Sequence, residues 1–183
     1  MTDVVEPNEE TKSMHQEMMD KAYELWNDSE ESKKMSYENF LNKVEGELGK
    51  NYVDAVMTGN MNYQVGNGGW SQWNDNAYSC NIEDLLSFFK QTEFDNFPEI
   101  KDMRRILDEV EETLDWIDRG EEAVRHVDYD FRDIFEDAIR DSSRGDLNRL
   151  DSKYYKIGDK VMEILEQYFV QKNLDEINGE SNK

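Results

Sequence analysis

The sequence predicts an all-α protein, a single compact domain of six or seven helices. Apolar residues recur at steps of three and four along most of the chain, which is the pattern of helices that bury one face. No segment alternates with the period of two that is typical of a half-buried strand, so no sheet is predicted. The length of 183 residues suits one domain of ordinary size. We place the acidic helical domain at residues 9–173, between flexible termini at residues 1–8 and 174–183.

Two amphipathic runs precede the middle of the chain. The first predicts a helix on which His15 is solvated and the apolar face carries Met14, Met18, Ala22, Leu25 and Trp26. The second predicts a helix that begins after Ser36, whose hydroxyl can cap the first turn. A bend at Gly49 can divide this run, whose apolar residues are Tyr37, Phe40, Leu41, Val44, Leu48, Tyr52, Val53, Val56 and Met57.

The second half of the chain predicts four more helical segments. Asn81 can cap a short one that carries Leu85, Leu86, Phe88 and Phe89. Pro98 suits the first turn of the clearest helix, which ends near Gly120 and has its core face at Met103, Leu107, Val110, Leu114 and Ile117. The next segment has apolar residues at Phe131, Ile134, Phe135, Ala138 and Ile139. A long last helix carries Leu147, Leu150, Tyr154, Ile157, Val161, Ile164 and Tyr168.

The balance of charge restricts the possible partners. The chain has 43 acidic residues against 21 basic ones, and its formal net charge is −22. Such an imbalance destabilises the compact state by self-repulsion and surrounds the protein with a negative potential. We expect no direct binding to nucleic acid or to a membrane, because polyanions need basic partners that release their counterions. The expected partners are basic surfaces, unless the acidity serves solubility alone.

Neither a metal nor another cofactor is expected. The only cysteine, Cys80, excludes an intramolecular disulfide, and with only His15 and His126 in the chain a zinc site is not expected.

The first residues lack the basic start and apolar run of a signal peptide. No window approaches the ~20 apolar residues of a membrane span. We therefore expect a cytoplasmic protein.

No catalytic motif is found in the sequence. The patterns HExxH, GxxxxGK[ST], GxSxG and CxxC are all absent. Pairs of carboxylates are poor evidence for acid–base catalysis here, because chance pairing is certain among 43 acids. We therefore predict that the protein is not an enzyme.

The acids on the clearest helix indicate a partner-binding surface. Its outer residues include Asp108, Glu111, Glu112, Asp115 and Asp118, and the series continues with Glu121 and Glu122. Steps of three and four arrange carboxylates in rows along one flank. At a rise of ~1.5 Å per residue, neighbours in a row lie roughly 5 Å apart along the axis, near the distance between successive phosphates. We predict that these seven residues bind the partner; a solvated face interrupted by arginines is the alternative.

The stretch "MNYQVGNGGWSQWNDNAYS" at residues 61–79 interrupts the helical pattern. It predicts a structural motif formed by Asn67, Gly68, Gly69, Trp70, Gln72 and Trp73. The adjacent glycines permit positive φ where one helix ends and the next begins, and the two tryptophans can pack inward. Gln72, Asn74 and Asn76 can satisfy backbone groups that the break leaves free. An exposed tryptophan hot spot for a partner is the alternative.

This motif resembles the signature of a DNA-mimic protein family, an Asn-Gly-Gly-aromatic-x-Gln-aromatic core followed closely by Asn. The residues Leu150, Asp151, Tyr154 and Tyr155 are similar to the Leu-Asp-x-x-Tyr-Tyr pattern of the family's closing helix. The resemblance spans residues 37–169, with Trp70 where Phe is usual and with an added N-terminal helix. It implies an acidic, all-helical protein and a dimer that presents DNA-like carboxylates to a DNA-binding regulator.

Charge pattern and resemblance together predict an inhibitor that imitates nucleic acid and binds the basic groove of a nucleic-acid-binding protein. We expect a phage or mobile-element antagonist of a host defence nuclease, either CRISPR or restriction, because both have long basic channels. A regulator that sequesters a transcription factor or nucleoid protein is a close alternative, and a homodimer is possible in either case. A small helical enzyme around Trp70, Trp73, Asn74 and Asn76 is an alternative of another class, and a passive acidic scaffold is a third.

Overall fold

Seven α-helices make up most of the chain that the computed structural model describes, which is residues 12–27, 34–76 and 81–180. No strand occurs within these ranges, so the predicted all-α class and the single compact domain are confirmed. A short 3₁₀ turn at Thr92–Phe94 precedes α5. The helices are α1 Met14–Asn27, α2 Tyr37–Leu48, α3 Lys50–Asp75, α4 Ile82–Phe89, α5 Pro98–Val124, α6 Tyr129–Tyr154 and α7 Gly158–Glu180.

The long α3 helix lies at the centre of the fold. Residues 53–61 are all buried, because α1, α2, α4, α6 and α7 pack around it. A helix that is buried on all sides needs partners for its polar side chains. Asn60 provides one example: it accepts a hydrogen bond from the Tyr23 hydroxyl at 2.7 Å and donates to the Tyr37 hydroxyl at 3.0 Å. This bridge ties α1 and α2 to the central helix.

Several predicted helix boundaries are confirmed. The Ser36 hydroxyl accepts from the Asn39 N–H at 3.3 Å and caps α2. Gly49 separates α2 from α3 at a φ of 96°, where glycine is favoured. Pro98 is the first residue of α5. Among the helices of the described ranges, none combines the length and apolar character needed to cross a membrane.

Two predicted boundaries are wrong. Helix α5 continues through Gly120 to Val124, and a Cβ at Gly120 would lie 3.1 Å from Ile139, so this glycine permits close packing of α6. The predicted long last helix is two helices, because a turn after Tyr154 separates α6 from α7. Both helices bury a face in the same core, so the three-four spacing continues across the turn. Helix α7 runs to Glu180, past the predicted domain end at residue 173, and the flexibility of the termini stays a prediction.

His15 is buried, so the prediction of a solvated side chain is wrong. Its Nε2–H donates to the Ala55 carbonyl at 2.8 Å, and its ring stacks on Phe169 with centroids 4.9 Å apart. The Glu166 carboxylate of α7 accepts from the Met14 and His15 N–H groups at 2.7 and 3.0 Å. It thereby satisfies two free donors at the start of α1. Burial lowers the pKa of His15 from its ordinary value of 6.5.

We predict that His15 makes the protein less stable in mild acid. The unfolded chain takes up the imidazole proton near pH 6.5, whereas the folded chain does so only at lower pH. The free energy of unfolding therefore falls as the pH drops from 6.5 toward the folded pKa. His15→Gln cannot titrate but can still donate to Ala55. Urea denaturation at about pH 7.5 and 5.5 should show a greater loss for the wild type; equal losses would contradict this role.

Candidate protein-binding surface

A backbone break in α3 organises the glycine-tryptophan motif. Gly69 has φ 76° and ψ −174°, while the chain is helical on both sides. This conformation is essentially restricted to glycine. The Asp151 carboxylate of α6 occupies the space beside it, so a Cβ at Gly69 would overlap the carboxylate. The Asp151 Oδ1 accepts the Trp70 N–H at 2.7 Å and caps the second part of α3.

Both indoles of the motif lie in the core. Trp70 and Trp73 are 0% and 1% exposed, and their rings meet edge to face with centroids 5.5 Å apart. Trp70 makes a second edge contact with Tyr154 of α6, at 5.7 Å. Their burial leaves no indole surface for a partner or a substrate. The motif therefore acts on the surface indirectly, by placing α6.

Gln72 and Asn76 have another role than predicted. Both side chains donate to the Gln64 side-chain oxygen, at 2.7 and 2.8 Å. These hydrogen bonds between side chains connect the two parts of α3 across the break. The backbone donor at the break is satisfied instead by Asp151. Sequence reasoning named Asp151 only as part of the closing-helix pattern. Nothing local could reveal this contact, because it joins residues 81 positions apart.

Two adjacent tyrosines attach the end of α6 to α3 on the other side of the break. The Tyr154 hydroxyl donates to Asn62 Oδ1 at 2.7 Å, and the Tyr155 hydroxyl donates to the Val65 carbonyl at 3.0 Å. Burial raises the pKa of the Asp151 carboxyl, and the hydrogen bond from Trp70 partly opposes that shift. The polar contacts between α6 and α3 thus come from two neutral hydroxyls and one partly desolvated carboxylate.

The seven predicted partner-binding acids lie on α5, and most of them face solvent. Glu111 and Glu121 are partly buried, and the exposed members are Asp108, Glu112, Asp115, Asp118 and Glu122. The apolar side of α5 is anchored in the core by Met103, Leu107, Val110, Leu114 and Ile117. Residues 108, 111, 115, 118 and 122 follow steps of three and four, so they form one row, which we call the α5 acid row.

Some of these acids have basic neighbours. The ion pairs are Lys90–Asp108 at 3.5 Å, Arg119–Asp115 at 2.9 Å, Arg125–Glu122 at 2.7 Å and Arg140–Glu121 at 2.8 Å. Exposed pairs of this kind contribute about 0–1 kcal/mol each. Within the part of the chain that the structure describes, Glu111, Glu112 and Asp118 form no ion pair. Some carboxylates of this surface are therefore unpaired within the described residues, and the others form only weak ion pairs.

The structure brings further acids to the end of α5. Asp118 and Glu121 line a cleft together with Asp75 from α3 and with Asp137 and Asp141 from α6. Arg140 and Arg144 also line this cleft, so its charge is mixed. No group of three or more His, Cys, Asp or Glu could hold a metal ion within the described ranges. Cys80 lies outside the described residues.

Gly69→Ala should destabilise the fold by about 2–4 kcal/mol, since alanine at this φ and ψ is strained and its Cβ overlaps Asp151. Gly66→Ala is the matched control, because Gly66 lies in the helical part of α3 with open space around its Cβ. The free energy of unfolding of the control should rise by up to about 1 kcal/mol, because alanine has a higher helix propensity than glycine. Urea denaturation measures both variants. Similar free energies of unfolding for the two would show that the break at Gly69 is not required.

Asp151→Ala should lower the free energy of unfolding by about 1–2 kcal/mol, as the loss of a helix cap does. Asp151→Asn keeps an oxygen that can accept from Trp70 and removes a charge that burial disfavours, so it should lose less than half of that amount. Denaturation at neutral pH compares the two. An equal loss in both variants would mean that the charge of Asp151, rather than its acceptor, stabilises the break.

Comparison with known proteins places the chain in a family. Residues 46–173, more than half of the chain, match the family model of the DMP19-like proteins. No curated protein and no solved structure matches the chain. The matched range begins near the end of α2 and includes α3 to α6 and most of α7, so it contains the break at Gly69 and the α5 acid row. The chain belongs to the DMP19-like protein family, a family of DNA mimics.

Proposed function

We propose that the protein is a DNA-mimic inhibitor, a binding module that occupies the basic nucleic-acid groove of a partner protein. The observation that carries this proposal is the α5 acid row, in which carboxylates repeat at steps of three and four on the solvent side of α5. Membership of a DNA-mimic family supports a function of the row beyond solubility. The predicted partner-binding residues remain those on α5, with acids from α6 beside them.

The dimensions of the α5 acid row suit a groove that binds a phosphate backbone. From residue 108 to residue 122 the helix rises about 21 Å, at ~1.5 Å per residue, so five carboxylates are spaced about 5 Å apart along the axis. One strand of B-DNA carries a negative charge about every 3.4 Å of its axis. The row is therefore somewhat less dense than one strand, and acids from α6 can add to it.

Rigidity supports the proposal as well. A charge array binds best when its geometry is set before the partner arrives, because side chains and backbone then lose less freedom on binding. The core face of α5 is buried from Leu107 to Ile117, and Glu109 is bound by Lys153 at 2.5 Å and Arg149 at 2.9 Å from α6. These two cations lower the pKa of Glu109 and hold α6 against α5.

For the target, we propose a host defence nuclease, CRISPR or restriction, with the chain supplied by a phage or mobile element. Long basic channels of such nucleases match a rigid row of carboxylates. A transcription factor or nucleoid protein is the alternative, since its DNA-binding surface is basic too. Identification by mass of the protein captured from lysate by the purified chain distinguishes the two.

Neutralising the α5 acid row should weaken binding to the captured partner. We expect Glu111→Gln, Asp115→Asn and Asp118→Asn together to reduce affinity roughly 10- to 100-fold near physiological salt. This range follows if each lost contact costs about 0.5–1 kcal/mol of binding free energy. The helix content should be unchanged, because these side chains lie outside the core. Titration calorimetry measures the affinity, and circular dichroism checks the fold.

A matched control removes the same charge elsewhere. Glu38, Glu45 and Glu47 are exposed on α2, and their replacement by Gln also removes three negative charges. If the position of the carboxylates determines binding, this variant should bind nearly as the wild type does. If both variants lose affinity equally, binding depends only on total charge, and the proposal of DNA mimicry is wrong.

A further inference from the structure

The first half of α6 carries an apolar stripe that the described residues leave uncovered. Phe131, Ile134 and Phe135 are 57%, 64% and 48% exposed. They lie three and four residues apart, on one face of the helix, which we call the α6 stripe. Their spacing suits a core face, but the buried contacts of α6 come from its second half, through Leu147, Leu150 and Tyr154. The stripe is therefore exposed on the part of the protein that the structure describes.

The area of the α6 stripe is too small for an interface by itself. A large apolar side chain can bury 150–250 Å², so the exposed parts of these three amount to roughly 300 Å². Apolar patches of that size are often functional. A stable interface takes about 800 Å² from each partner. More than half of any interface built on the stripe must come from the residues around it.

Most of the charged residues around the stripe are acidic, although Arg132 directly follows Phe131. Asp133, Asp137 and Asp141 are exposed and follow each other at steps of four, so they form a second row on the flank of the stripe. Asp141 pairs with Arg144 at 3.3 Å, while Asp133 and Asp137 form no ion pair among the described residues. A two-fold dimer would bring the same patch of both copies together. Carboxylates would then meet carboxylates, between chains that each carry a net charge of −22.

We propose that the α6 stripe is the apolar anchor for the basic partner, which must carry an apolar depression beside its nucleic-acid groove. This inference rests on the proposed function. Charge complementarity favours such a partner over a second copy, since the same acidic rim attracts a basic surface. Aromatic anchors surrounded by a polar rim carry most of the energy of many interfaces. Carboxylates alone mainly increase the rate of association and fix the register of the two proteins.

Site-specific photocrosslinking in the host cell tests which molecule covers the stripe. Benzoylphenylalanine replaces Phe135 in the full chain, and the control carries it in place of Tyr63, a 63% exposed residue of α3. We expect position 135 to crosslink a nucleic-acid-binding protein, identified by mass, and we expect duplex DNA added to a lysate of the host cell to abolish the crosslink. The control position should give none. A crosslink from position 135 to a second copy of the chain, or no crosslink there, overturns the proposal.

Affinity as a function of salt separates this anchor from the charge array. With the crosslinked partner purified, Phe131→Ser with Phe135→Ser should reduce affinity at least tenfold at every salt concentration and leave the salt slope unchanged. Neutralisation of the α5 acid row should flatten the slope. If only the charge variant loses affinity, the anchor is wrong and the proposed function stands. If neither variant loses affinity, both are wrong.

Discussion

The hydrogen bond from the Trp70 N–H to Asp151 is the interaction on which the rest of the structure depends. It stabilises the glycine-only backbone at Gly69, and that break turns both tryptophans into the core. Because Asp151 belongs to α6, the same contact determines where α6 meets α3. Helix α6 in turn packs along α5 through Ile139 at Gly120 and through the Glu109 ion pairs. A local motif of the middle of the chain thus positions the helices that bear the acids.

The distribution of charge follows from this arrangement. Basic side chains that hold helices together, such as Lys153 and Arg149, lie between α5 and α6. The outer side of α5 keeps carboxylates that have weak ion pairs or none in the described part of the chain. Self-repulsion among them lowers stability, and the buried core compensates. A chain selected for solubility alone would not need such an array on a helix whose apolar side is anchored in the core.

Much of the fold could be predicted from the sequence, because periodicity and cap chemistry are local. The all-α class, the cap at Ser36 and the start of α5 at Pro98 all followed from neighbouring residues. What could not be predicted depends on distant partners. The burial of His15 requires Ala55 and Phe169, and the exposure of Phe131 arises because none of the described helices covers it. The acids of α5 could be identified from spacing, but the partner that we propose for them leaves no periodic signal in this chain.

Competition with DNA tests the central claim most directly, since a mimic and its model must occupy the same site. Duplex DNA is titrated into the complex of the chain with its captured partner, and the fraction of bound chain is measured by fluorescence anisotropy. Mutually exclusive binding is predicted. The apparent Kd of the chain should rise in proportion to the concentration of free duplex, once that concentration exceeds the Kd of the duplex for the partner. A ternary complex, in which the chain stays bound with unchanged affinity at saturating duplex, would contradict DNA mimicry.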